Sequence, residues 1–292
     1  MSRPLRNLII FSVASLSGGF VGIALDQLAP PANRMEGLGV LVWLVTPLLT
    51  NILLRAFGGD GWQDLGWQLH LRSSWVWYGV ALFSLPLVMG VVLGLGALSG
   101  ALDTAGLAAR GWGPYLALAG AAFGGALVKN IFEEFAWRGY LTPRFAELQL
   151  RPWMAYLLTG FIWAGWHVPY YLYFLDPLVL QSHTPLPLPA FMAVAFVLLP
   201  FHALTYGELR LLSGSTWPAW LLHTVANALS LPLLSDGFVT LRGGAGVLLS
   251  PGTEGILFTL LFALIGVGLY QYRTRSVGRR QRAAAAPAPV GG

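Results

Sequence analysis

The chain has 292 residues, 56% of them hydrophobic and only 10% charged, with a net charge of +5. A soluble domain usually carries about 25% charged residues, so hydropathy this high along the whole length indicates a polytopic membrane protein. The absence of cysteine excludes disulfides, thiolate nucleophiles and cysteine-held zinc or iron–sulfur sites.

A membrane-spanning helix needs about 20 predominantly apolar residues. Candidates occur at 7–25, 37–57, 74–98, 114–139, 152–174, 188–210, 216–234 and 252–272. The first run follows Arg3 and Arg6, as in a signal peptide, yet it is long enough to span and is read as a retained helix. The runs do not alternate polar and apolar residues as barrel strands do, and lipid cannot satisfy an open backbone. The expected fold is therefore all-α, a polytopic bundle of about eight transmembrane helices. A single transmembrane domain covers 1–275, with a catalytic core at 114–235. The basic, then Ala/Pro-rich tail at 276–292 is read as disordered.

Basic residues set the orientation. With both termini in the cytoplasm, most arginines fall on inside segments, and the outside loops hold Arg34, Arg110 and Arg242. That bias fits an even number of spans. The sequence pI of about 9.7 thus reflects orientation, and no nucleic-acid partner is expected. The lipid bilayer and a membrane protein or peptide substrate are. The sequence sets no oligomeric state.

Ionisable groups inside a membrane are costly, roughly 2.5–3.5 kcal/mol each at mid-depth, so the few present can be weighed singly. "EEFAWRGYL" places Glu133, Glu134 and Arg138 at the end of the fourth run. Glu134 and Arg138 are four apart and share a helix face. Glu133 points about 100° away, expected to be free to face a cavity, where burial and the adjacent carboxylate would make it a stronger base, suited to general-base work near neutral pH. "FIWAGWHVPYYLY" puts His167 in the fifth run, and "STWPAWLLHTVANAL" puts His223 and Asn227 on one face of the seventh. At 1.5 Å per residue, His223 lies roughly 9 Å inside its cytoplasmic end, and Glu133 a similar distance from Gly139. His167 counts to roughly 22 Å from Pro152, which disagrees unless the fifth run tilts, kinks at Pro169 or starts at the interface. Singly, each group reads as an ion pair or an interhelical hydrogen bond. Two glutamates, an arginine, two histidines and an asparagine on three helices are the parts of a water-activating hydrolytic site.

These stretches resemble the motifs of the CPBP family, the CAAX-protease and bacteriocin-processing (Abi) membrane proteins. "EEFAWRGYL" is similar to its Glu-Glu-x-x-x-Arg motif. "WAGWH" is similar to Phe-x-x-x-His with Trp163 in place of Phe, and "HTVAN" to His-x-x-x-Asn. The resemblance, over about residues 130–230, implies an intramembrane glutamate endopeptidase. Glu133 would activate water, Glu134 and Arg138 would support it, His167 would position the water, and His223 and Asn227 would stabilise the oxyanion. No metal is expected to be required, although Glu133, His167 and His223 could form a zinc set. Lys129, four residues before Glu133, is unusual and could act on it, or could snorkel or be satisfied by Asn130.

Among the remaining polar residues, His202 reads as packing, and His70 and His183 as loop residues. Glu208 and Arg210 are expected to pair or to flank the membrane. Asp26, Asp176 and Asp236 mark outer span ends. The expected site is a cavity between spans four to seven opening to the cytoplasm, in a prokaryotic-type cytoplasmic membrane. Two other readings keep the same helices: a non-catalytic binding, immunity or regulatory protein, and a transporter using the polar cluster. No inverted repeat is visible to favour the latter.

Overall fold

A computed structural model describes residues 1–285. In chain order the helices are α1 (Arg3–Leu28), α2 (Leu38–Ala56), α3 (Leu71–Ser99), α4 (Ala105–Arg110), α5 (Trp112–Ala136), α6 (Thr142–Glu147), α7 (Pro152–Pro169), α8 (Pro177–His183), α9 (Leu188–Ser213), α10 (Trp217–Ser235), α11 (Gly243–Leu249) and α12 (Ile256–Ala285). Every run picked out in the sequence is a helix. Among the described residues, six helices are long and apolar enough to cross a membrane: α1, α2, α3, the continuous Trp112–Glu147 rod, α9 and α12 over Ile256–Ser276. The protein is a multi-pass membrane protein with an all-α bundle. The other two long helices, α7 and α10, carry the second and third motifs. Their Trp, His, Asn and Pro residues lower their hydropathy. α10 tolerates this because it is interior, with residues 222–226 buried along consecutive positions.

Helix ends follow local chemistry. Proline in the first turn starts α7, α8 and α10, where its missing N–H costs nothing. Asp176 caps α8 by accepting from the Leu178 N–H. Gly214, at φ 66°, ends α9 in the left-handed conformation that glycine takes without a Cβ penalty.

α5 packs on α10, α7 on α9, α9 on α12 and α1 on α2. Close approach depends on small residues. A Cβ on Gly160 of α7 would lie 2.3 Å from Pro200 Cα of α9. One end of the bundle carries a two-stranded antiparallel ladder, β1 (Leu102–Asp103) with β2 (Thr240–Leu241). At the other end, the segment 57–70 folds over the α9–α10 turn. The Thr216 N–H donates to Gly66 O at 2.7 Å and its hydroxyl to Leu65 O at 2.8 Å. Arg55 donates to Gly61 O and Gly139 O and pairs with Asp64. Arg144 pairs with Asp60, Asp64 and Glu147.

Three expectations change. The fourth span does not end at Gly139: a π-helical turn, Trp137–Leu141, leads directly into α6, and the rod continues to Glu147. Glu133 therefore lies about 20 Å from that end. Counted from Glu147 and from Pro152, Glu133 and His167 thus lie at similar distances along their helices, roughly 20 Å, and α10 begins beneath the 57–70 segment. Glu208 and Arg210 do not pair with each other. Glu208 is held by Arg273 and Tyr156, and Arg210 donates to Asp64 O at 2.6 Å. Of the tail read as disordered, the part up to Ala285 continues α12 as helix, and 286–292 lie outside the described residues.

Candidate active site

Four helices, α5, α7, α9 and α10, enclose a cavity of about 180 Å³. A water needs roughly 10–15 Å³ of such space, so several fit. From α5 comes Lys129, from α7 Trp163 and His167, from α9 His202 and Tyr206, and from α10 His223 and Asn227. The wall continues through Leu175, Val179 and His183 to Thr253 and Glu254, towards the end of the bundle opposite the N-terminus. The 57–70 segment covers the opposite end of the bundle, over the α9–α10 turn.

Glu133 is 1% exposed and lies just behind this wall. Both of its oxygens have donors. Lys129 Nζ is 2.5 Å from Oε1, and Trp163 Nε1 donates to Oε2 at 3.1 Å. The carboxylate is thus not left free, as helical geometry alone suggested. Lys129 neither snorkels nor turns to Asn130, but pairs one turn along its own helix.

The pair expected from the i,i+4 spacing forms: Arg138 Nη1 donates to Glu134 Oε1 at 3.0 Å, with both side chains fully buried. The same oxygen is 2.8 Å from His223 Nδ1. Glu134 therefore orients His223, not Glu133. An imidazole donating through Nδ1 to a carboxylate presents Nε2 elsewhere, and the anion stabilises the ring if it becomes protonated. The guanidinium of Arg138 lies 4.4 Å from the rings of both Trp163 and Tyr206, a cation–π arrangement that partly replaces lost water.

His167 Nδ1 lies 2.9 Å from Trp163 O, one turn back. A carbonyl accepts only, so Nδ1 carries the proton and Nε2 is left as an acceptor. The ring stacks on Tyr171 with centroids 5.5 Å apart. Asn227 is held through Nδ2, which donates to Asn130 Oδ1 at 3.2 Å, and Asn130 donates weakly to Thr224 Oγ1 at 3.4 Å. The π-helical turn Trp137–Leu141 carries Arg138 at the end of the first motif, and the turn Tyr170–Phe174 follows the second. Such bulges shift the helix face and recur beside functional sites.

Residues 115–229 match a family model described as type II CAAX prenyl endopeptidase Rce1-like. This stretch of the chain is thus similar to CAAX-type membrane proteases, in agreement with the resemblance carried by its three motifs. The matched stretch contains all three motifs and the helices that enclose the cavity. Helices α1–α3 and α12 lie outside the matched stretch. No curated protein matches the chain.

Among the described residues, no group of three His, Cys, Asp or Glu side chains could hold a metal ion. The zinc set considered from sequence, Glu133, His167 and His223, is not among such groups. His223 Nδ1 turns to Glu134, His167 Nδ1 to a carbonyl, and Glu133 to Lys129 and Trp163.

Sequence reasoning missed four residues. Asn130, fully buried, fixes Asn227; its signal was an uncapped amide in a spanning helix. His183, read as a loop residue, is buried on α8 with Nε2 2.8 Å from Ser235 Oγ, and its Nδ1 is 3.4 Å from Glu254. Glu254 lies on a Gly/Pro-rich connection and carried no signal. His202, read as packing, bonds to Thr253 O and Thr259 Oγ1 while also reaching the cavity.

Proposed function

We propose that this core hydrolyses peptide bonds with Glu133 as the general base. The observation that supports this best is the shared cavity, into which Lys129, His167, His223 and Asn227 converge from three helices with Glu133 immediately behind. Glu133 takes a proton from a water that His167 Nε2 helps to hold. The water oxygen attacks the scissile carbonyl carbon, and the developing oxyanion is met by His223, backed by Glu134, and by the Asn227 amide. Glu133 then gives its proton to the amide nitrogen as the C–N bond breaks, leaving an acid and an amine. Substrates are C-terminal or juxtamembrane peptide segments, because a backbone must leave lipid to enter a polar cavity.

Purified protein in detergent, incubated with a peptide library, tests this reading. Glu133→Gln keeps size and hydrogen-bonding capacity but cannot accept the proton. Cleavage is expected to fall by at least 100-fold, the low end of what general base catalysis contributes. Undiminished cleavage by a folded Glu133→Gln protein would refute the assignment. Solute uptake into proteoliposomes without cleavage would favour the transporter reading.

A further inference from the structure

Lys129 is the chain's only lysine; every other basic position is arginine. It lies near the middle of the Trp112–Glu147 rod, with its side chain 38% exposed, on the wall of the cavity. Its anionic partner is Glu133, which is 1% exposed. The ammonium, on the cavity wall, covers Oε1, while Trp163 Nε1 holds Oε2. Around Lys129 the cavity presents donors and imidazoles. The acid on its wall, Glu254, lies at the far end beside His183. A flexible ammonium in such a setting is suited to receiving a second anion.

Resting on the base assignment above, we propose that Lys129 is a positioning residue that latches Glu133 at rest and is drawn off it by the C-terminal carboxylate of the substrate peptide. The carboxylate is the one anion that every peptide with a free C-terminus carries. The reach of a lysine side chain confines the scissile bond to within a few residues of that end. Once the ammonium turns to the incoming carboxylate, Glu133 Oε1 is open to water and the base is no longer ion-paired. Binding and activation are thereby coupled, and a peptide lacking the charge leaves the latch closed.

The test compares peptide pools differing only in a C-terminal carboxylate or carboxamide, with the wild type, Lys129→Met and Lys129→Arg. Wild type is expected to favour the acid by at least tenfold in kcat/KM, with part of the difference in kcat, because a simple binding contact changes KM alone. Lys129→Met, shown to be folded by a cooperative melting transition and a native-like circular dichroism spectrum, should cleave both pools within twofold of each other, and Lys129→Arg should keep part of the preference. A wild type indifferent to amidation, a Lys129→Met protein that keeps the tenfold preference, or one that is folded but inactive on both pools overturns the proposal. A second measurement does not depend on cleavage. Protein labelled with [13Cε]-lysine has a single side-chain resonance, which should move with pooled tripeptide acids and not with their amides. Equal movement, or none, overturns the latch. Retained cleavage in Glu133→Gln strikes instead at the base assignment, which the resonance measurement does not probe.

Discussion

Glu134→Gln separates two roles that one carboxylate oxygen now fills. Glu134 and Arg138 are both fully buried and 3.0 Å apart, and His223 Nδ1 approaches the same Oε1 at 2.8 Å. The amide is nearly isosteric and keeps an acceptor, so the change removes charge rather than volume. Breaking a buried pair from one side costs about 3–5 kcal/mol, mostly because the remaining charge is stranded. The rings of Trp163 and Tyr206, each 4.4 Å from the Arg138 guanidinium, soften this, which places the expected loss near 3 kcal/mol. Chemical denaturation in mixed micelles reads it. Arg138→Met should be similarly destabilised. The double variant should be less destabilised than the sum of the singles by roughly 1–3 kcal/mol, since it strands neither charge. In peptide cleavage, loss of the anion behind His223 is expected to lower kcat about 100-fold, equivalent to about 2.7 kcal/mol of transition-state stabilisation. An additive cycle with wild-type stability in the single variants would refute the buried ionic pair. Unchanged kcat would refute the role given to Glu134 in orienting His223.

Three further outcomes follow from the packing and the charges. Gly160→Ala forces a Cβ to 2.3 Å from Pro200 Cα; parting α7 from α9 should cost about 1–3 kcal/mol and reduce cleavage, because α7 carries His167, and a wild-type melting temperature would contradict this close approach. Arg273 grips Glu208 with Nε at 2.6 Å and Nη2 at 2.8 Å, so Arg273→Met, which leaves a fully buried carboxylate with only the Tyr156 hydroxyl, should lose about 3 kcal/mol; Arg273→Lys should restore only part of it, as denaturation midpoints will show. At the end of the bundle that carries the β1–β2 ladder, the Arg242 guanidinium, followed by the Ala105 N–H, holds the Asp103 carboxyl below the usual carboxylate value. The support this gives the β1–β2 ladder is complete above the unfolded-state value, about 4, and is lost as pH falls through the lower folded-state value. Amide exchange at Leu102 and Leu241, corrected for intrinsic rates, should therefore accelerate only in strong acid, and acceleration near neutrality would exclude this pair as the cause.

What the sequence settled by itself are the relations along a helix and the balance of apolar surface. Eight long helices follow from runs that lipid or a protein interior can accept. The neighbours Lys129–Glu133 and Glu134–Arg138 follow from 3.6 residues per turn. The order of the three motifs was likewise readable, because so few polar groups interrupt these helices. The tertiary structure decided what lies across helices. It chose His223, 89 residues away, as the partner of Glu134, and used Lys129 to cover Glu133. It carried the fourth span on to Glu147, tucked the start of α10 beneath the 57–70 segment, and brought His183 and Glu254 to the far wall of the cavity. Periodicity fixes which residues share a face, but it does not say which face of which distant helix comes to meet them. That depends on how closely backbones approach, at places such as Gly160 against Pro200, and on which buried charges find one another there.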